Sequence, residues 1–189
     1  MKTIPTFLLA ACFIGSQAKA QQEANPMLAN AQTFIDVPYV AHTLETDGEE
    51  DLVINCDEVD CTTFVEYVLA LSLPSASGNK MSESDFAANL QRIRYREGKI
   101  DGYTSRLHYT SDWINNGVRG GFMEDVTAAN SPYTQKLSLS YMSSHPKLYK
   151  HLSNSPENVT RMAEYEKALS GQEIHWLPKD KLPANGLPW

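Results

Sequence analysis

Cys61 is the residue whose setting most invites chemistry. It lies within Val59-Asp60-Cys61-Thr62-Thr63-Phe64-Val65-Glu66, where a polar turn gives way to an apolar run ending at Leu73. Phe64, Val65, Val68, Leu69 and Leu71 crowd that run and Glu66 is its only charge, so residues 62–73 read as a helix buried over most of its circumference. A thiol at a helix start faces unpaired N–H groups that carry about half a positive charge. Both features favour the thiolate, which is the nucleophilic form. The same N–H groups can receive the oxyanion formed when an amide carbonyl is attacked. Asp60 works in one of two ways: its charge opposes the thiolate, or its side chain caps the helix. Two blander readings compete, an inert buried thiol and a disulfide between Cys56 and Cys61. The disulfide requires a turn that brings the two Cα atoms within about 7 Å, and it would silence the nucleophile. No CxxC pair or closely spaced histidine pair suggests zinc, and neither a metal nor a cofactor is expected.

A thiol nucleophile needs a base, and the chain has five histidines. His108 has the richest setting, in a stretch from Tyr103 to Trp113 that also holds Ser105, Arg106, Tyr109 and Asp112. Arg106 is suited to a carboxylate, and Tyr103 or Trp113 to stacking on a sugar ring, so His108 reads as a substrate contact. A structural loop network explains the same residues equally well. His42 is a weaker candidate for the base; His145, before Pro146, reads as a turn residue, His151 as surface and His175, beside Trp176, as packed.

The elements that must position these groups form an α+β pattern. Asn25 and Pro26 open a helix over residues 25–35, as N-cap and first helical residue. Residues 37–41 are extended, and the acidic residues 47–51 read as a solvated turn. Residues 52–55 suggest a short strand. Ser82 and Asp85 form a capping box for a helix carrying Phe86, Leu90 and Ile93, stopped by Gly98. Asn115, Asn116 and Gly117 end any helix that begins near Trp113. Leu137, Leu139 and Tyr141 alternate with serines like a half-buried strand. Residues 156–169 suggest a surface helix closed by Gly171, and 174–177 a final strand.

Composition sets the outer limits. Hydrophobic residues make up 42% of the 189 and charged residues 21%, an ordinary globular balance for one domain. Sixteen basic residues against 23 acidic give a net charge of −7, which argues against nucleic acid as partner. Lys2, the apolar residues 4–14 and Ala18-Lys19-Ala20 have the layout of a signal peptide, so residues 1–20 are expected to be removed and 21–189 to form the domain. The apolar run is too short to span a bilayer. Without Lys2 and Lys19 the balance is 14 basic against 23 acidic residues, or −9. Leu9-Ala10-Ala11-Cys12 also fits a lipid-attachment pattern, which competes with simple cleavage. A periplasmic or secreted monomer is expected, with a lipoprotein as the variant.

Three stretches together resemble the N-acetylmuramoyl-L-alanine amidase-like family, within the NlpC-type branch of papain-like cysteine hydrolases. They are Pro38-Tyr39-Val40-Ala41-His42-Thr43-Leu44-Glu45, the segment from Asp60-Cys61-Thr62 to Leu71, and the segment from Tyr95-Arg96-Glu97-Gly98 to Ile114. The resemblance implies a papain-like fold, with a helical N-terminal half whose nucleophile helix packs on an antiparallel sheet that is incomplete here. It implies Cys61 as nucleophile, Tyr39 beside it, and hydrolysis of the bond between N-acetylmuramic acid and L-alanine in a muropeptide. Substrate contacts are then expected from Tyr39, Asp60, Thr62, Tyr103, Ser105, Arg106, His108, Tyr109, Asp112 and Trp113. The family's base histidine belongs to a C-terminal sheet region expected beyond residue 189, so the chain is expected to be poorly active and unstable. His42 stands where the family usually has glycine. The alternative is a protein that binds cell-wall fragments without cutting them.

Overall fold

The computed structural model describes residues 25–76, 78 and 80–182. The expected signal peptide, its cleavage point and Cys12 lie outside the described residues. The fold is mostly helical with one small antiparallel sheet, and it divides into two compact units, the first ending at Leu107 and the second beginning at His108.

In the first unit, α1 (Pro26–Gln32) starts as the sequence suggests: the Asn25 side chain accepts from the Met27 N–H and Pro26 is the first helical residue. It ends at Gln32, three residues earlier than expected. Next in order are α2 (Cys61–Ser72) and α3 (Glu83–Arg94). The α3 capping box forms as expected, with Ser82 Oγ accepting from the Asp85 N–H at 3.1 Å. Phe86, Leu90 and Ile93, spaced to share one face, are fully buried. They meet α2 at Tyr67, whose ring lies 6.1 Å from Phe86 and is stacked on Phe34 from the other side. Each such side chain contributes about 1.5–3 kcal/mol through burial. The outer face of α2 is less enclosed than expected, with Val65 exposed and Phe64, Leu69 and Leu71 half-buried.

Several expected local features are overturned here, each by side chains from elsewhere in the unit. Residues 52–55 form no strand, and side chains hold their backbone instead. Arg94 Nη1 donates to Val53 O, and Asn55 N–H donates to Tyr67 Oη at 3.0 Å. The acidic turn is not wholly solvated either. Glu50 accepts from Tyr95 Oη at 2.8 Å and faces Arg106 Nε at 3.3 Å, with its side chain almost enclosed. Helix α3 ends at Arg94 rather than near Gly98, because Tyr95 leaves the helix to form an isolated bridge with Arg106. A 3₁₀ turn (Arg96–Gly98) follows, and Gly98 then takes a positive φ of 70°.

The second unit opens with α4 (Thr110–Arg119), which runs through Asn115-Asn116-Gly117 instead of stopping there. Asn116 is buried, and Gly117 lets Met123 approach so closely that an added Cβ would meet the Met123 side chain at 3.0 Å. A short α5 (Thr127–Asn130) leads to β1 (Thr134–Lys136), which precedes the expected strand by three residues. Leu137 continues the ladder to Gln172 and Gly171 without strand geometry. Tyr141 begins a helix, α6 (Tyr141–Ser144), followed by α7 (Lys150–Ser153) and α8 (Pro156–Leu169). Helix α8 has the expected bounds but is not a surface helix throughout, since Met162, Glu166 and Leu169 are buried. Strand β2 (Glu173–His175) closes the sheet, with Thr134 opposite His175.

Candidate active site

The thiol sits at the first residue of α2, and the geometry of that helix start follows from its neighbours. Asp60 is the N-cap: its Oδ1 accepts from Thr62 N–H at 2.9 Å and Thr63 N–H at 2.8 Å. Thr63 Oγ1 returns the bond by accepting from Asp60 N–H at 2.8 Å, which closes a capping box. Asp60 is therefore a helix cap in this arrangement. Its capping also limits the oxyanion site expected from the sequence. The Thr62 and Thr63 N–H groups are taken by Asp60 Oδ1, and the Phe64 N–H by Asp60 O. The cap does not use Cys61's own N–H.

Cys61 is a free thiol and is exposed, so the Cys56–Cys61 disulfide and the inert buried thiol are both excluded. Cys56 is buried. Tyr39 stands beside Cys61, 70% exposed itself. The Cys61 side chain, as hydrogen-bonding partner and then through its charge, pushes the Tyr39 phenol above its ordinary range, while the Cys61 backbone N–H acts in the opposite direction. Tyr39 thus stays protonated at neutral pH and can donate to the sulfur. Its backbone is pinned on both sides by Val59, which donates to Pro38 O at 3.0 Å and accepts from Val40 N–H at 2.9 Å.

Behind the thiol lies a buried set of charges. Glu66, on the inward face of α2, pairs with Arg94 Nε at 2.7 Å. Burial pushes the Glu66 carboxyl up, and Arg94 pulls it back only in part. Arg106 is buried as well, its fork taken by Glu45 at 2.9 Å and by Leu44 O, and its guanidinium lies 5.0 Å above the ring of Tyr103. Ser105 Oγ donates to Gly102 O and accepts from Asp101 N–H. Tyr103, Ser105 and Arg106 are each about 5% exposed or less, so they form the loop network rather than an open contact surface.

Of the remaining expected contacts, Thr62 is exposed beside Cys61. His108, Tyr109, Asp112 and Trp113 belong to the second unit. Tyr109 Oη donates to Glu166 at 2.6 Å, and burial followed by this bond pushes its phenol up to about 12. Asp112 is buried and Trp113 is half-buried with its Nε1 enclosed. The stretch from Tyr103 to Trp113 therefore crosses the boundary between the units. His175 Nδ1 lies 3.0 Å from Ser131 O and His145 Nδ1 lies 2.9 Å from Tyr141 O. His42, exposed, has a φ of 65°, the backbone form that explains why glycine suits that position. Glu166, in the second unit, escaped the sequence reading; so did Glu66 and Arg94 as a pair, since nothing in their spacing announces contact across 28 residues. No group of three His, Cys, Asp or Glu side chains among the described residues is placed to hold a metal, and no described helix is long and apolar enough to cross a membrane.

Comparison with known proteins gives these features a context. A crystal structure of an N-acetylmuramoyl-L-alanine amidase from Bacteroides uniformis ATCC 8492, at 1.07 Å resolution, matches with a TM-score of 0.82 and 70% identity, over 87% of this chain and 68% of that one. A Bacteroides fragilis protein described as a candidate xylanase matches with a TM-score of 0.80 and 71% identity, over 86% of this chain and 70% of that one. No curated protein matches the chain. The family model of AmiA-like, N-acetylmuramoyl-L-alanine amidase-like proteins matches residues 29–189. By the extent of that match the chain belongs to the N-acetylmuramoyl-L-alanine amidase-like family.

Proposed function

We propose that the protein is a cysteine amidase of the NlpC-type, papain-like class that hydrolyses the bond between N-acetylmuramic acid and L-alanine in peptidoglycan fragments. The observation that carries this reading is the free, exposed Cys61 at the tip of α2 with the Tyr39 hydroxyl against its sulfur. In the reaction, the Cys61 thiolate attacks the lactyl carbonyl carbon, and the carbonyl oxygen becomes an oxyanion. The Cys61 N–H and the Tyr39 hydroxyl are the donors nearest to receive it. The C–N bond breaks, the amine of L-alanine leaves with a proton from a general acid, and water then releases the acyl group from sulfur. A glycosidase, the activity suggested for the Bacteroides fragilis relative, instead needs two carboxylates flanking the bond. Here the carboxylate beside the thiol, Asp60, is occupied as a cap. A periplasmic or secreted location, reached through a signal peptide over residues 1–20 or a lipid anchor at Cys12, belongs to the same proposal.

The test is incubation of the protein with a muramoyl-L-alanyl peptide. Release of the free peptide amine, abolished in Cys61→Ala, is the expected result. Tight binding without release would establish the alternative, a protein that holds cell-wall fragments without cutting them. Release that persists in Cys61→Ala would remove the thiol from the mechanism.

A further inference from the structure

We propose that the buried Glu66–Arg94 pair is the positioning device that sets Tyr39 against Cys61. The path can be followed bond by bond. Glu66 lies on the second turn of the helix that Cys61 begins, and it holds Arg94 Nε at 2.7 Å. Arg94, the last residue of α3, donates through Nη1 to Val53 O. Tyr67, next to Glu66, lies under the Arg94 guanidinium at 5.7 Å and accepts from Asn55 N–H at 3.0 Å. Two adjacent residues of α2 thus fix the segment that leads through residues 53–59 to Val59. Val59 in turn clamps Pro38 and Val40 on either side of Tyr39. The thiol and the phenol that acts on it therefore take their separation from one buried scaffold.

The energetics favour a geometric role over simple stabilisation. An ion pair removed from water contributes little relative to apolar residues of the same volume, so fixing a unique arrangement is the better reason for one. Arg94 Nη2 adds to the cost, since it is buried with no hydrogen-bond partner among the described residues. Asp60 and Arg106 also act on Glu66 electrostatically, one repelling and the other attracting, so the pair sits within the charge set of the helix start.

The inference rests on the thiol–phenol site described above, but its test needs no muropeptide. Alkylation of Cys61 by iodoacetamide, followed by mass spectrometry of the Cys61 peptide, reads the site in the folded full-length protein at neutral pH. Tyr39→Phe is expected to slow alkylation about threefold by removing a donor to the thiolate, and Glu66→Gln and Arg94→Lys to slow it to a similar extent. The double variant Tyr39→Phe/Glu66→Gln should be no slower than either single variant, because both act through one contact. Leu152→Ala, a buried core change in the second unit, should lower the melting temperature yet leave alkylation unchanged. Additive slowing of about ninefold in the double variant would overturn the proposal. So would equal slowing by Leu152→Ala, unaltered rates in both Glu66→Gln and Arg94→Lys, or failure of both to fold. Loss of amidase activity in none of these variants bears on the outcome, so this test and the Cys61→Ala test can fail separately.

Discussion

At the scale of single residues, the site depends on how few donors are left at a capped helix start. Asp60 uses the Thr62 and Thr63 N–H groups, so the Tyr39 hydroxyl becomes the natural companion of the Cys61 N–H. Removing that hydroxyl in Tyr39→Phe is expected to lower kcat on a muramoyl-L-alanyl peptide about 10²-fold with KM little changed, the pattern of a bond formed in the transition state. An equal loss in KM alone would assign Tyr39 to substrate binding instead. Asp60→Ala tests the cap: it should cost about 1 kcal/mol in denaturant unfolding. His42 offers the opposite case. Its left-handed backbone costs a side-chain-bearing residue about 1–2 kcal/mol, partly offset by the extra chain entropy of glycine. His42→Gly is therefore expected to raise the melting temperature while turnover persists; loss of turnover would reinstate His42 as a catalytic candidate.

Among the elements, α8 and α6 show how one buried carboxylate can decide local structure. Glu166 on α8 accepts from the Met142 N–H at 2.9 Å, from the Ser143 N–H at 3.2 Å and from Tyr109 Oη, and also binds Ser143 Oγ. These bonds cap α6 where the alternation of Leu137, Leu139 and Tyr141 suggested a strand. Burial opposes charge on Glu166, but the Ser143 and Tyr109 hydroxyls and the two N–H groups outweigh it and hold the carboxyl below its usual range. A carboxyl depressed in the folded state contributes stability above its unfolded value and loses that contribution as pH falls through the folded one. The second unit should therefore weaken in acid, below about pH 4. Trp113 and Trp176 lie in this unit, so tryptophan fluorescence during denaturant titration at pH 3 and pH 7 follows it. Glu166→Gln should destabilise the unit at pH 7 by about 2–3 kcal/mol and flatten the acid dependence. An unchanged acid profile would show that other groups govern it.

For the whole molecule, charge is the property with a direct consequence. A net charge of −7 repels an anionic muropeptide at long range, and salt screens that repulsion. kcat/KM for a peptide bearing free carboxylates should rise modestly between 10 and 150 mM salt, about twofold. A steep fall would point to a basic contact surface that the net charge conceals. The division after Leu107 is also a whole-molecule feature, and it passes through the stretch that the sequence presented as one cluster.

How much of this was legible beforehand depended on the range of the forces involved. The helix start at Cys61, the capping box at Ser82 and Asp85, and the buried face of Phe86, Leu90 and Ile93 follow from groups within a few residues of one another, so the order of residues alone determined them. The resemblance of three stretches was likewise enough to indicate the family. The Glu66–Arg94 pair, the enclosure of Arg106 by Glu45 and Glu50, and the capping of α6 by Glu166 join residues 23 to 61 positions apart. No periodicity encodes such partners. Only tertiary packing decided which polar groups were spent inside the fold and which, like the sulfur of Cys61, were left facing water, because a buried charge must find its counterpart wherever the chain delivers one.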